Sequence, residues 1–223
     1  MKKLMMIAAM MLMGMGAFAQ NEVGQVTLKP MVGLNIATMT KADNSKVRLG
    51  IAAGVEAEYG IAENFGISAG VLYSQQGVKS DAGFGAYFVD ENEGLVGGWE
   101  FDGKTTVQLD YINIPILAQF YPVKGLAIKA GIQPGFNVLK KVALDGTLYQ
   151  GGVYGGNAKK VDESYKINEG VKGFAFAIPV GISYEYECFV LDARYNIGVT
   201  KAFKDADSRH SVFSISLGYK FAL

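Results

Sequence analysis

The chain predicts an all-β fold: an eight-stranded antiparallel up-and-down transmembrane β-barrel, with short turns at one end and longer loops at the other. Three observations predict it. Apolar side chains alternate with small or charged ones in eight segments, the links between segments alternate between short and long, and the non-apolar phase mixes Gly, Ala and Ser with charges of both signs. Successive side chains of a strand point to opposite faces, so each segment presents one greasy side and one small, polar side.

Ahead of these segments, MKKLMMIAAMMLMGMGAFAQ sets Lys2 and Lys3 before an apolar run from Leu4 to Met15 and reaches Ala17-Phe18-Ala19. That is the pattern of a secretory signal peptide, so residues 1–19 are expected to be removed and residues 20–223 to form the barrel domain. No Cys follows the cut closely, and a lipid-anchored start is not expected. The chain has 21 basic and 21 acidic residues; losing Lys2 and Lys3 leaves it near neutral, which suggests no nucleic-acid partner. With Cys188 as the only cysteine, an intramolecular disulfide is excluded. After the leader no apolar run approaches the roughly 18 residues of a transmembrane helix. A membrane location then requires a closed barrel, because unpaired backbone groups cannot face hydrocarbon.

The segments follow in order. Val26 to Thr38 carries the apolar phase Val26, Leu28, Val32, Leu34, Ile36, and Arg48 to Tyr59 carries Ile51, Ala53, Val55, Ala57, Tyr59. Phe65 to Ser74 gives Phe65, Ile67, Ala69, Val71, Tyr73; Asp110 to Tyr121 gives Ile112, Ile114, Ile116, Ala118, Phe120. Leu126 to Asn137, Phe174 to Glu185, Phe189 to Gly198 and Ser211 to Leu223 repeat the pattern. Gly60 to Asn64, Pro122 to Gly125 and Tyr186 to Cys188 read as tight turns, whereas Gln75 to Thr105 and Leu139 to Gly173 read as long loops. Short periplasmic turns and long extracellular loops are the layout of outer-membrane barrels, and an even strand count puts both termini on the periplasmic side.

The charges decide between a greasy core and a lipid-facing surface. Lys29, Arg48, Glu56, Glu58, Asp110, Lys129, Glu185, Asp192, Arg194 and Lys220 are assigned to the face opposite the apolar phase, among Gly, Ala, Ser, Asn and Gln. Eight strands leave room only for side chains, so small residues make space and charges deprived of water must pair. A soluble barrel around an apolar ligand would have the opposite polarity. Aromatics sort the same way: Tyr59, Phe65, Phe120, Tyr184, Phe189, Tyr219 and Phe221 lie beside the short turns or the C-terminus, and Tyr73, Phe136, Phe174, Tyr195 and Phe213 at the other ends. Two aromatic belts around an aliphatic waist suit two membrane interfaces. Pro30, Pro115, Pro134 and Pro179 lack an N–H for the ladder, and each is expected at a bulge or a strand end.

The stretch LDYINIPILAQFYPVKGLAIKAGIQPGF, Leu109 to Phe136, resembles the paired strands of the PorT-like outer-membrane β-barrel family, small eight-stranded porin-family barrels with a Y-x-x-I-P-hydrophobic strand and an A-G-x-x-x-G strand. KPMVGLNIA (Lys29 to Ala37) and FSISLGYKF (Phe213 to Phe221) resemble that family's first and last strands. The resemblance implies the outer membrane of a Gram-negative bacterium, contact with outer-membrane lipid, and recognition of the C-terminal strand by the assembly machinery. Some relatives act in secretion.

No catalytic residue, cofactor or metal ligand set is assigned. Ser208 or Ser211 with His210 is the one nucleophile-and-base pair weighed; adjacent strand residues face opposite ways, and His210 is expected as a solvated loop residue. Links 75–105 and 139–173 carry Phe84, Tyr87, Phe88, Trp99, Phe101, Tyr149, Tyr154 and Tyr165, either as a contact surface for a protein or glycan or as plain extensions of their hairpins. The expectation is a small, non-enzymatic outer-membrane barrel that is structural or binds a partner through its loops. The alternatives are a soluble periplasmic ligand-binding β protein and a lipid-modifying barrel enzyme.

Overall fold

A computed structural model of the chain describes residues 23–40, 45–90, 94–150, 157–167, 170–204 and 207–223. The expected leader, residues 1–19, lies outside the described residues. One antiparallel sheet contains β1 (Val26–Met39), β2 (Ser45–Lys46), β3 (Arg48–Ala62), β4 (Phe65–Asp90), β5 (Gly94–Asn113), β6 (Ile116–Val123), β7 (Leu126–Gln150), β8 (Asn157–Lys166), β9 (Phe174–Tyr186), β10 (Phe189–Lys201), β11 (Arg209–Tyr219) and β12 (Phe221–Ala222). Pairing runs from β1 through β3, β4, the β5 and β6 segments, β7, β9 and β10 to β11. β11 then pairs back onto β1 from Met31↔Gly218 to Met39↔His210. The ring has eight walls, because β5 and β6 keep one register against β4 and β7, and β11 and β12 keep one against β1. Closure leaves every wall with a neighbour on both sides, which is what hydrocarbon demands of a backbone.

The polarity of this ring is lipid-out. Ile178, Leu191 and Ile215, in the middle of their strands, are 42%, 54% and 44% exposed, whereas Lys129 and Arg194 are 2% and 3% exposed. At the two rims, aromatic neighbours meet edge to face: Phe189 with Tyr219 at 5.5 Å beside the short turns, and Phe136 with Phe174 at 5.6 Å at the far end. The turn between β9 and β10 has only Glu187 and Cys188 outside the strands, one residue fewer than the sequence reading gives it, and Glu187 takes a left-handed φ of 55°.

Of the four prolines only Pro115 stands at a strand boundary, between β5 and β6. Pro30, Pro134 and Pro179 lie inside β1, β7 and β9 without a register shift beside them, which corrects the expectation of bulges. Each instead removes rungs locally. The β1 ladder to β11 and β12 skips from Leu28 to Met31, the β7 ladder to β5 and β6 skips Ile114 and Pro115 opposite Pro134, and the β7 ladder to β9 skips Gly131 and Ile132 opposite Pro179. Rungs on both sides of each gap hold the register, so a missing N–H costs a hydrogen bond and not a bulge.

The largest departure from the sequence reading concerns the two long links. Most of 75–105 and 139–173 is strand, since β4 runs 26 residues, β7 runs 25 and β8 adds a further strand on β7. Above the barrel, β4, β5, β7 and β8 therefore form a projecting four-stranded sheet. A register shift between Asp110 and Tyr111, opposite Val138 of β7, reverses the parity of β7 at the junction. Glycine-rich sequence hid these strands.

Lipid facing predicts a one-sided sensitivity to charge. Ile215→Arg or Ile178→Arg should cost roughly 2–4 kcal/mol at mid-bilayer depth, while the inward Ser216→Ala should be mild; urea unfolding in vesicles compares the three, and equal tolerance contradicts the orientation.

Candidate functional site

The lumen is filled in layers. Nearest the short turns, Lys220 Nζ lies 3.0 Å from Glu185 and 3.5 Å from Glu58, and the Tyr121 hydroxyl donates to Glu58 at 2.5 Å. Above it runs a chain of buried ions: Lys29 to Glu56 at 2.9 Å, Glu56 to Arg194 at 2.7 Å, Arg194 to Asp192 at 3.0 Å, and Asp192 to Lys129 at 2.7 Å. Four cations thus stand against four anions in the spanning part of the tube. Register explains the assembly, because Lys29 is directly opposite Glu56 on β3, and Gly181 of β9 sits between Lys129 and Arg194. Their neighbours are small by necessity: a Cβ at Gly70 would meet Glu56 Cγ at 2.6 Å, and one at Gly54 would meet the Val71 carbonyl oxygen at 2.1 Å.

A neutral polar layer follows. Asn35 donates to Ser74 Oγ at 2.9 Å and accepts from Ser214 Oγ at 2.8 Å, and Asn196 donates to Ser214 Oγ at 3.3 Å. Two cavities of about 30 and 20 Å³ lie here, sharing Asn113, Gln133 and Asn196 in their walls, each large enough for one or two waters. The outer end is apolar. Met39, Val78, Leu109, Tyr111, Val171 and Ala202 form a buried cluster, and Val171 bridges to Phe203 so that residues 170–172 and 202–204 fold across the mouth. These layers of side chains fill the described lumen.

Two sequence assignments need correction. Asp110 stands opposite Gln75, between the inward-pointing Leu109 and Tyr111, so it takes the outward phase it shares with Ile112 and Ile114. It is buried beneath the Tyr73 hydroxyl, which donates to it at 2.5 Å, and forms with Arg48, 3.7 Å away, a separate pair at the outer end. His210 is not a solvated loop residue. It lies on β11, 6% exposed, with Nε2 3.0 Å from the Tyr111 hydroxyl and the two rings edge to face. Ser211 points the other way and shares a 2.6 Å hydrogen bond with Tyr195, so the Ser211 and His210 pair does not assemble. Nothing in strand periodicity could have found the Tyr111 partner, 99 residues away.

The projecting sheet reverses the barrel's polarity. On the face that continues the lumen phase, Val78, Val107, Val142 and Tyr165 stand in one row across four strands, with Phe101 opposite Leu148 beyond them. The Phe101 ring lies over Gly103 and Gly146, where an added Cβ would come within 2.8 Å of it. The other face, which continues the lipid phase, carries Gln108, Lys141 and Lys166, then Thr106 and Ser164, then Lys104, Asp145 and Asp162. Apolar-out gives way to polar-out within a few residues, which marks the outer edge of the membrane. Trp99, Phe101, Tyr149 and Tyr165 belong to this sheet; Tyr154 lies outside the described residues, as do the side chains of Phe84, Tyr87 and Phe88.

A closed antiparallel barrel with a greasy exterior and an ion-filled interior defines an integral membrane β-barrel. Residues 18–204 match the family model for the outer membrane protein beta-barrel domain, and the chain belongs to that family. It is accordingly a small barrel of the outer membrane of a Gram-negative bacterium, and the polarity excludes the soluble periplasmic alternative. No curated protein matches the chain. Among solved structures, it is similar to the attachment invasion locus protein Ail of Yersinia pestis in complex with the heparin analogue sucrose octasulfate (12% identity, 90% of this chain and 100% of that one, TM-score 0.47). Neisserial surface protein A is similar at 15% identity, over 87% of this chain and 97% of that one, with a TM-score of 0.49. The N-terminal β-barrel domain of Pseudomonas aeruginosa OprF is similar at 12% identity, over 89% and 98%, with a TM-score of 0.34.

Glu56 holds two cations, so its loss leaves both buried without their shared counterion. Glu56→Ala should destabilise by about 3–5 kcal/mol, and adding Lys29→Met should recover part of that; urea unfolding of the single and double variants reads both, and a neutral single variant contradicts the network's role.

Proposed function

We propose that this protein is a non-enzymatic outer-membrane anchor that presents its projecting sheet to a partner at the cell surface. The observation that carries the reading is the sheet's apolar face. Val107, Val142, Leu148 and Tyr165 share one side of the projecting sheet, partly exposed over the buried Phe101. Tyr165 is 53% exposed, and large aromatics supply most of the energy at recognition surfaces. The filled lumen argues for anchoring over transport, and Ser211, turned away from His210 onto Tyr195, argues against the Ser211 nucleophile.

The partner is a protein or a glycan. The motif from Leu109 to Phe136 favours PorT-like kinship within the porin-like barrels, and on that kinship the partner would be a component of a secretion apparatus. Cellular photocrosslinking tests the reading. Benzoylphenylalanine in place of Trp99, on the apolar face, should give a discrete adduct of higher mass, while the same residue in place of Asp102, on the polar face, should not. Equal labelling, or none at Trp99, contradicts it.

A further inference from the structure

Three cross-strand neighbours at the outer end of the barrel are pairs of cations: Lys46 opposite Lys79, Lys141 opposite Lys166, and Lys201 opposite Arg209. Like charges directly opposite one another destabilise a ladder, so one such pair calls for an explanation and three at one end of the barrel call for a common one. Lys141 is half-buried and the other five cations are exposed. Lys141 and Lys166 extend the outward phase just beyond the exposed Val138 and Leu139. Lys201 follows the exposed Ile197 and Val199, and Arg209 precedes Phe213 on the same outward phase. These pairs therefore ring the barrel where its lipid-facing surface ends, the level at which lipid headgroups lie.

Protein carboxylates answer some of this charge. Lys46 Nζ is 2.5 Å from Asp81, and Asp207 lies 3.5 Å from Lys201 and 3.9 Å from Arg209. For Lys141 and Lys166 no ion pair is present among the described residues. On their own strands the nearest acids of that face, Asp145 and Asp162, are four residues further along, about 13 Å away at the rise of a strand, and Asp110, two residues along β5 from the Gln108 opposite Lys141, is already engaged by Tyr73 and Arg48.

We propose that these pairs, with Lys141 and Lys166 at their centre, bind the phosphate groups of outer-leaflet lipid. A phosphate monoester carries between one and two negative charges at neutral pH and accepts hydrogen bonds on three oxygens, which suits two ammonium groups held side by side. Long lysine stems can lie along the apolar wall and place their heads at the interface. The continuity of the pairs with the lipid-facing surface favours a membrane-held phosphate over a free one.

The test uses the full mature chain and its Lys141→Gln/Lys166→Gln variant in phosphatidylcholine vesicles: plain, with bisphosphorylated lipid A, with dephosphorylated lipid A, or with inorganic phosphate in the buffer. The readout is the temperature at which the folded, fast-migrating gel band disappears. The wild-type midpoint should rise only with bisphosphorylated lipid A. The variant should be at least as stable as wild type in plain vesicles, because a repulsion has been removed, and should show a clearly smaller rise, carried by the pairs it keeps. An equal rise in both proteins, a rise with dephosphorylated lipid, or a rise with inorganic phosphate alone overturns the proposal. As a second readout, phosphorylated glycolipid co-extracted from native membranes should fall about threefold or more in the variant; unchanged recovery also overturns it.

Discussion

Hydrocarbon offers no partner to a backbone N–H or C=O, and the architecture of this protein follows from that constraint. It forces the strands into a ring, with β11 returning to β1. A ring of eight encloses too little space for water to solvate charges, so its interior ions must satisfy one another. Glu56 shows how fully they do so, with Lys29 at 2.9 Å and Arg194 at 2.7 Å. The glycines of the lumen phase are the steric counterpart of this electrostatic arrangement. They make room for side chains much longer than the tube's own radius would otherwise admit.

The same constraint ends where the membrane ends. Beyond Asp110 and Leu139 water reaches the backbone, the need for an apolar exterior disappears, and the two faces of the continuing strands exchange character. One face becomes polar because it is wet. The other keeps a row of apolar side chains near the barrel, with Glu163 and Lys159 further out, and at its base it packs onto the cluster of Met39, Val171 and Ala202 that closes the mouth. A single set of strands thus serves as membrane wall, stopper and surface display, with a change of polarity but no change of backbone geometry.

How much of this was legible in the sequence depended on whether the signal was local. Alternation with a period of two is local, so the phases of Leu191, Ile215 and Ile178 and the inward place of Lys129 and Arg194 could be read directly. Which cation meets which anion depends on register between strands far apart in sequence, as for Arg194 and Glu56, 138 residues apart, and no local pattern encodes it. The projecting sheet was obscured for two physical reasons. Its polar face and many glycines resemble loop composition, and the parity of β7 reverses at Val138, so a single alternating template fails there. His210 was misread because a histidine in a short polar link is usually solvated, whereas here the link folds inward and Tyr111 receives it.

Lipid on the outside and paired ions on the inside is the central claim, and nitroxide accessibility tests it most directly. In a Cys188→Ser background, spin labels at Ile128, Ile132 and Leu191 should collide with dissolved oxygen and be shielded from an aqueous nickel chelate, whereas labels at Thr106 and Ser164, on the same face beyond the membrane edge, should show the reverse. Labels at Ile128 and Leu191 that meet the chelate as readily as those at Thr106 would contradict the account.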